Sequence, residues 1–280
     1  MSTPLDLTTL SRELARDASG IWTTASQRAS SVSYPEGGHD ACFALEDSSF
    51  WFAHRNECIS RALGRFPFAG PFLDVGGGNG AVSKRLAADG IDTVVLEPGA
   101  SGASNARRRG LPNVIRATLA EAAFAPASFG AAGLFDVIEH VEDDARILGD
   151  VHRVLRPRGV LCVTVPAYAW LWSAEDDQAG HFRRYTLSRL GDLLAHSGFE
   201  PRYLTYFFAP LTVPLFFLRS VRYRLSQPVR GDAQAAARQH APSRVVRAVV
   251  DRCLAPERLA IGRGGTIPFG TSCLAIALAR

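Results

Sequence analysis

The stretch from Pro71 to Gly99, PFLDVGGGNGAVSKRLAADGIDTVVLEPG, constrains this chain more than any other. A short apolar run, FLDV, passes straight into closely spaced glycines. An amphipathic segment, AVSKRLAADG, follows and stops at Gly90, and a second apolar run, IDTVVLEPG, comes next. Strand, helix, strand at this interval predicts parallel strands with the helix packed across them. The alternation continues: ASNARRRG reads as a helix, NVIRAT and GAAGLFDV as strands, DDARILGDVHRVLRPRG as a helix and VLCVTVPA as a fifth strand. TLSRLGDLLAHSG, FEPRYLTYF and the terminal TSCLAIALA then supply a helix and two further strands. The class is α/β, with helices on both faces of a mostly parallel sheet. Residues 1–40 are polar and Ser-rich and read as a loosely structured lead-in. Residues 45–66 carry apolar positions at helical spacing. The domain division is therefore 1–66, an N-terminal segment and helical lid, and 67–280, the α/β domain, with a helical insertion at 208–265 before the last strand.

Composition narrows the partners. Of the 280 residues 47% are hydrophobic and 21% charged, and the net charge is +4, which mildly favours anionic ligands or surfaces. Arginines at 107–109 and across 219–252 supply much of it. There is no zinc-finger spacing and no RNP-like aromatic segment, so nucleic acid is not expected as substrate. Cys42, Cys58, Cys162, Cys253 and Cys273 lie far apart without a C-x-x-C, which suits buried free thiols in a reducing compartment. The opening residues lack the apolar centre of a secretory signal. YLTYFFAPLTVPLFFL (203–218) is shorter than the ~20 residues of a spanning helix and contains Pro210 and Pro214. The expected location is cytoplasmic, with peripheral membrane contact left open.

The loop LDVGGGNGA (73–81) fits two templates: a dinucleotide fingerprint through Gly76, Gly78 and Ala81, and an S-adenosylmethionine loop through Asp74, Gly76, Gly78 and Gly80. Charge separates them. A pyrophosphate at the helix N-terminus would sit beside the Asp74 carboxylate, whereas the ammonium and sulfonium of S-adenosylmethionine would welcome it. Glu97, 23 residues after Asp74, is placed to reach ribose hydroxyls and suits either cofactor. With LFDVIEHVEDD, VLRPRGVLCVTVP, GHFRRYT and FGTSCLAIALA added, the chain resembles the class I S-adenosylmethionine-dependent methyltransferases, of the type grouped around ubiquinone- and menaquinone-pathway enzymes. The resemblance implies a Rossmann-like sheet of seven strands in order 3-2-1-4-5-7-6, the seventh antiparallel. It carries cofactor contacts onto Asp74, Gly76, Gly77, Gly78, Gly80, Glu97, Pro98, Thr118, Leu119, Phe135 and Asp136. Thr118 stands where the family often has an adenine-binding Asp, and Gly130 where it begins strand four with an Asp.

LFDVIEHVEDDA (134–145) leaves strand four at the ligand-bearing edge of the sheet. Glu142, Asp143 and Asp144 suit a helix N-terminus. Asp136 and His140 suit the cofactor's methionine end or the acceptor. Asp136, Glu139 and His140 also carry oxygen and nitrogen donors of the kind that hold a divalent cation, but no metal is assigned. After strand five, Trp170, Trp172, Arg183, Arg184 and Tyr185 are the candidate acceptor lining. His181 is the first candidate base and His140 the second, with Asp136 beside them as a catalytic candidate. An alternative role for His181 and the two arginines is to fix their loop to the following helix, capped by Thr186. FWFAHRN (50–56) suits a lid over the cofactor or a plain core helix. The apolar insert flanked by cations suits a cap over a greasy acceptor, peripheral contact with anionic lipid, or a homodimer interface. The expected activity is methyl transfer to a small, apolar or lipid-like acceptor, O-methylation favoured. An NAD(P)-dependent oxidoreductase and a non-catalytic S-adenosylmethionine-binding protein are the alternatives.

Overall fold

The structure, a computed structural model, describes residues 5–24, 38–225 and 244–280. Two short strands open it, β1 (Leu14–Arg16) and β2 (Trp22–Thr24), and two helices follow, α1 (Gly38–Ser48) and α2 (Phe50–Leu63). Then come β3 (Phe72–Val75), α3 (Ala81–Ala88), β4 (Thr93–Leu96), α4 (Ala100–Arg108), β5 (Val114–Arg116) and β6 (Phe129–Phe135). Helix α5 (Asp144–Val154) leads to β7 (Leu155–Pro166), then to α6 (Ala174–Ala179), α7 (Leu187–His196) and β8 (Phe199–Phe207). The insert holds α8 (Ala209–Leu215), a π turn (Phe216–Val221), α9 (Arg222–Leu225) and α10 (Arg244–Gly262), and β9 (Ser272–Ala279) closes the chain. Part of the insertion expected at 208–265 thus lies outside the described residues.

One sheet runs β1-β2-β5-β4-β3-β6-β7-β9-β8. From β5 onward this is the expected 3-2-1-4-5-7-6 order, with β9 antiparallel to both β7 and β8. The sheet has nine strands rather than seven, because part of the lead-in read as loose adds a hairpin beside β5. DASG at 17–20 makes its turn: the Asp17 carboxylate accepts from the Ser19 and Ile21 amides, and Gly20 takes φ +82°. Leu7 and Leu14 are buried beneath this edge, which gives the segment a reason to fold.

Period-two alternation divides the core. Leu73, Val75 and Leu161 face a layer with Leu148, Val151, Leu190 and Leu194 of α5 and α7. Phe72, Val160 and Cys162 face the other layer, with Ile59 and Leu63 of α2, Leu86 of α3, and Leu254 and Ile261 of α10. Helix α2 is therefore part of the core, and α10 packs on it. Of the cysteines, Cys58, Cys162 and Cys273 are buried as expected, whereas Cys253 is exposed and Cys42 half-buried, because both lie on helices at the periphery of the sheet.

Gly130 has a steric explanation. A Cβ there would sit 2.0 Å from the carbonyl oxygen of Ala69, where the chain entering β3 crosses β6. Backbone on both sides leaves no flexible group to yield. Gly130→Ala is expected to cost about 1–3 kcal/mol and lower the thermal midpoint by several degrees, readable by calorimetry.

Candidate functional site

Strand β3 delivers Asp74 to the sheet edge one residue before its end, and the turn that follows is held by Gly76, Gly78 and Gly80 at φ between +53° and +75°. Such angles strain any side-chain-bearing residue. At Gly77 the constraint is space, since a Cβ would lie 3.0 Å from the Asp74 carboxylate. Asp74 is 1% exposed and accepts from Ser83 Oγ at 2.7 Å. Burial pushes its pKa up to about 6.

Glu97, just past β4, is buried too, and it occupies one amide of the turn and one at the start of α4. The Gly78 N–H donates to it at 2.8 Å and the Gly99 N–H at 2.7 Å. Burial, with the charge of Asp74 nearby, moves its pKa up to about 7 despite those bonds. His39 Nε2 lies 3.6 Å away, above the same carboxylate.

These groups border a cavity of about 680 Å³ at the C-terminal edge of β3, β4 and β6. Of the candidate cofactor residues, Asp74, Gly76, Gly77, Gly78, Glu97 and Pro98 line it, as do Thr118, Leu119, Phe135 and Asp136. Gly80 does not. It starts α3 behind the turn, where a Cβ would meet Leu111 at 2.4 Å. Thr118 bonds to Glu121 through both its amide and its hydroxyl. Helices α1 and α2 close the cavity with His39, Cys42, Glu46, Phe52 and Arg55.

Asp136 lines the cavity in a left-handed backbone conformation, φ +56°. Such a conformation costs a non-glycine residue on the order of 1 kcal/mol and persists only where neighbours enforce it. Its N–H donates to the Thr164 carbonyl at 2.9 Å, its Oδ1 accepts from Thr164 Oγ1, and its Oδ2 forms an ion pair with Arg55 of α2. Asp136 is thus engaged by Arg55 and Thr164 and is not part of the close group formed by Glu139 and His140, with which the sequence grouped it, although its charge still reaches both. His181 takes its place: Glu139, His140 and His181 bring donor atoms within 4.8 Å of one another, close enough to converge on a shared proton or cation.

His140 and His181 meet edge to face at 4.6 Å, both on the cavity wall. Burial first and His181 second lower the pKa of His140 to about 4, so it is neutral at pH 7. His181 is anchored from behind, with Nδ1 2.8 Å from Asp176 Oδ1. Asp176 is buried in α6 and held by Arg184 through Nε (2.7 Å) and Nη2 (2.8 Å), and by the Ser173 amide. Burial pulls its pKa up, but hydrogen bonds from His181 and Arg184 prevail and hold it down at about 2.

The five aromatic and basic residues expected to line the acceptor pocket build this loop instead. Tyr185 is fully buried, its hydroxyl donating to Asp144 at 2.8 Å. Arg183 pairs with Asp144 and donates to the Glu142 carbonyl. Arg184 clamps Asp176. Trp172 donates to Asp177, and Trp170 stacks on Tyr168 at the surface. None of the five lines the cavity. Phe182 and Ala179 do. Asp143 and Thr186 cap α5 and α7. Sequence reasoning missed Asp176, although SAEDDQA carries the signature of a capping box, and it missed His39, Glu46 and Asn79. Asn79 donates to the His39 carbonyl and to Glu46, joining the turn to α1.

Glu139 is fully buried, and neither carboxyl oxygen has a hydrogen-bond partner among the described residues. Burial, then the Asp136 charge, raise its pKa well above the ordinary value. A raised carboxyl means the folded protein retains a proton the unfolded chain releases above about pH 4.3, so stability falls as pH rises past that value. Glu139→Gln mimics the protonated form. Its thermal midpoint is expected to gain on that of the native chain as pH rises above about 5, in paired melting curves.

Comparison with known proteins agrees with this geometry. A model of the methyltransferase domain matches residues 52–204. A probable S-adenosylmethionine-dependent methyltransferase of Mycolicibacterium smegmatis is 29% identical over 170 residues, 59% of this chain and 65% of that one. A protein of Mycobacterium tuberculosis described in the same words is 28% identical over 159 residues, 55% of this chain and 57% of its own. The matched stretch thus spans less than two thirds of either relative. Among solved structures, a possible histamine N-methyltransferase from Thermotoga maritima superposes with a TM-score of 0.54 at 17% identity, covering 86% of this chain and 94% of that one. At that identity the likeness concerns the fold alone.

Proposed function

Because the chain belongs to the family of methyltransferase domains, we propose that its cavity binds S-adenosylmethionine and that it moves the cofactor's methyl group to a small apolar acceptor. The observation that carries this reading is the pair of buried carboxylates at the glycine turn. A dinucleotide needs turn amides for its pyrophosphate, and here the Gly78 amide of the turn already serves Glu97, as does the Gly99 amide at the start of α4, while Asp74 stands behind the turn. Two buried acids repel a dianion and favour a cationic amino-acid tail with a ribose beside it. Asp74 takes the methionine end and Glu97 the ribose hydroxyls. Thr118 and Leu119 border the base, and Arg55, paired with Asp136 across the cavity, is set to orient the cofactor's carboxylate. Within the segment 1–66 it is α1 and α2 that cover the cofactor, through His39, Glu46, Phe52 and Arg55, while β1 and β2 extend the sheet of the domain 67–280.

Transfer is an in-line displacement. The acceptor oxygen's lone pair forms the new O–CH₃ bond as the S–CH₃ bond breaks and its electrons return to sulfur, leaving the demethylated cofactor. The protein's contribution is to hold the two centres close and aligned. A hydroxyl acceptor also loses a proton, and His181 Nε2 takes it, since Asp176 occupies Nδ1 and fixes the ring. A carboxylate acceptor needs no base. Phe135, Val137, Val141, Ile147 and Phe182 make that side of the cavity apolar, in keeping with a greasy acceptor.

Titration calorimetry with S-adenosylmethionine, its demethylated product and NADH tests the cofactor. The first two are expected to bind and NADH to fail; NADH binding alone would return the reading to an oxidoreductase. Asp74→Ala is expected to weaken cofactor binding at least ten-fold, the effect of losing a buried charge partner. Since Asp74 titrates near pH 6 in the free protein, affinity is expected to fall as pH drops from about 7 to about 5, and binding near pH 6 to release protons, seen as a buffer-dependent heat.

His181→Ala is expected to spare cofactor binding and to lower turnover of a hydroxyl acceptor about 100-fold. Screening acceptors for methyl uptake from labelled cofactor supplies the assay. Cofactor binding with no methyl uptake by any acceptor would make the protein a non-catalytic binder.

A further inference from the structure

We propose that the insert between β8 and β9 docks on an anionic lipid bilayer. The rod formed by α8, the π turn and α9 has its polarity reversed. Its most buried side chains are hydroxyls, Thr212 and Ser220, 4% and 1% exposed, and Thr212 returns its proton to the Phe208 carbonyl. Its exposed large apolar side chains are Val213, Phe217, Leu218 and Leu225, at 62%, 62%, 69% and 82%. A rod facing water carries the opposite arrangement, and a run of exposed large apolar side chains marks a contact surface.

Charge identifies the partner. Between residues 219 and 252 the sequence holds eight arginines and two aspartates and no other Lys, Arg, Asp or Glu, a net of +6 against +4 for the whole chain, so the remainder is net negative. Arg222 and Arg224 are exposed in the same rod as Phe217 and Leu218. A second copy docked face to face would oppose arginine with arginine. A bilayer bearing anionic headgroups accepts the cations at its surface and the apolar side chains just beneath it. No helix among the described residues is long and apolar enough to cross a membrane, and the rod's pieces are short, so the segment lies on the surface rather than through it.

The rod rests on the loop that anchors His181. Tyr223 donates to Asp177 at 2.5 Å, Arg219 pairs with Glu175 at 3.4 Å, and Arg224 donates to the Trp170 carbonyl at 2.8 Å. Asp177 and Glu175 flank Asp176 in α6, and Ala179 of the same helix lines the cavity. Docking would therefore bring the cavity wall close to the lipid. The surface itself does not depend on the methyl-transfer reading.

Co-sedimentation of the full chain with phosphatidylcholine vesicles, with and without about 30% phosphatidylglycerol, tests the proposal. Binding is expected to be roughly ten-fold tighter to the anionic vesicles and to weaken with salt. Phe217→Ser with Leu218→Ser is expected to reduce it at least ten-fold, and Arg222→Glu to weaken the anionic preference. Both variants should keep the native melting temperature and S-adenosylmethionine affinity, since the altered side chains are exposed. Equal binding to both vesicle types, or anionic binding that both variants retain, overturns the proposal. So does a dimer in light scattering that the double-serine variant dissociates, which would assign the face to a second copy. Loss of cofactor affinity in the native chain would instead count against methyl transfer and leave the lipid result standing.

Discussion

Two carboxylates buried at neighbouring strand ends set the conditions for everything at the sheet edge. Removing Asp74 and Glu97 from water is costly, and the rise of both pKa values toward neutrality measures that cost. What keeps the arrangement viable is a set of donors in fixed positions: Ser83 for Asp74, and the amides of Gly78 and Gly99 for Glu97. The Gly78 amide lies in a turn of left-handed angles and the Gly99 amide opens α4 in extended backbone, so both serve the carboxylate before they serve any ligand. A turn already committed to a negative group has a strong preference in what it will admit next. That preference, more than the shape of the fold, separates this cavity from a phosphate-binding one.

A second buried charge organises the opposite wall. Asp176 has no exposed surface to speak of, and one carboxylate satisfies an imidazole, a guanidinium and the start of α6 together. Such a group costs little while all its partners are present and a great deal when one is removed. The loop between β7 and α7 is accordingly rigid where an acceptor would meet it. Its arginines and aromatics are consumed in that rigidity, and the phenylalanine beside His181 is left to face the cavity.

Whereas the order of the strands in the sheet came from the family resemblance, the succession of strands and helices from β3 to β9 and the glycine turn were legible because alternation and spacing report directly on strands, helices and the residues between them. So was the placement of Asp74, Glu97, Asp136, His140 and His181 around one cavity, since each ends a strand or follows one. The added hairpin was less visible: its strands are three residues long, and only DASG announced the turn. Residue type misled at Trp170, Trp172, Arg183, Arg184 and Tyr185. Aromatic and basic side chains suit an acceptor pocket and a loop scaffold equally, and only the positions of Asp144, Asp176 and Asp177 decide between them. Arg55 and His39 were hard to place for another reason. They reach the cavity from helices that precede β3, and nothing in a linear pattern says which helix face will close over which strand end.

The insert is joined to α2 by apolar packing and by a buried ion pair. Glu257 of α10 meets His54 at 3.0 Å and also accepts from the Phe208 and Ala209 amides where α8 begins. Burial lowers the pKa of His54, so the joint holds without needing a charged imidazole. The residue after His54 is Arg55, whose guanidinium spans the cavity to Asp136. Helix α2 and the insert are therefore linked through this glutamate and through the packing of Ile59 and Leu63 beside Leu254 and Ile261. A displacement of α2 would either carry the insert with it or break the His54–Glu257 bond and open that packing, so the helix that bears Arg55 is tied mechanically to a surface some 160 residues further along the chain.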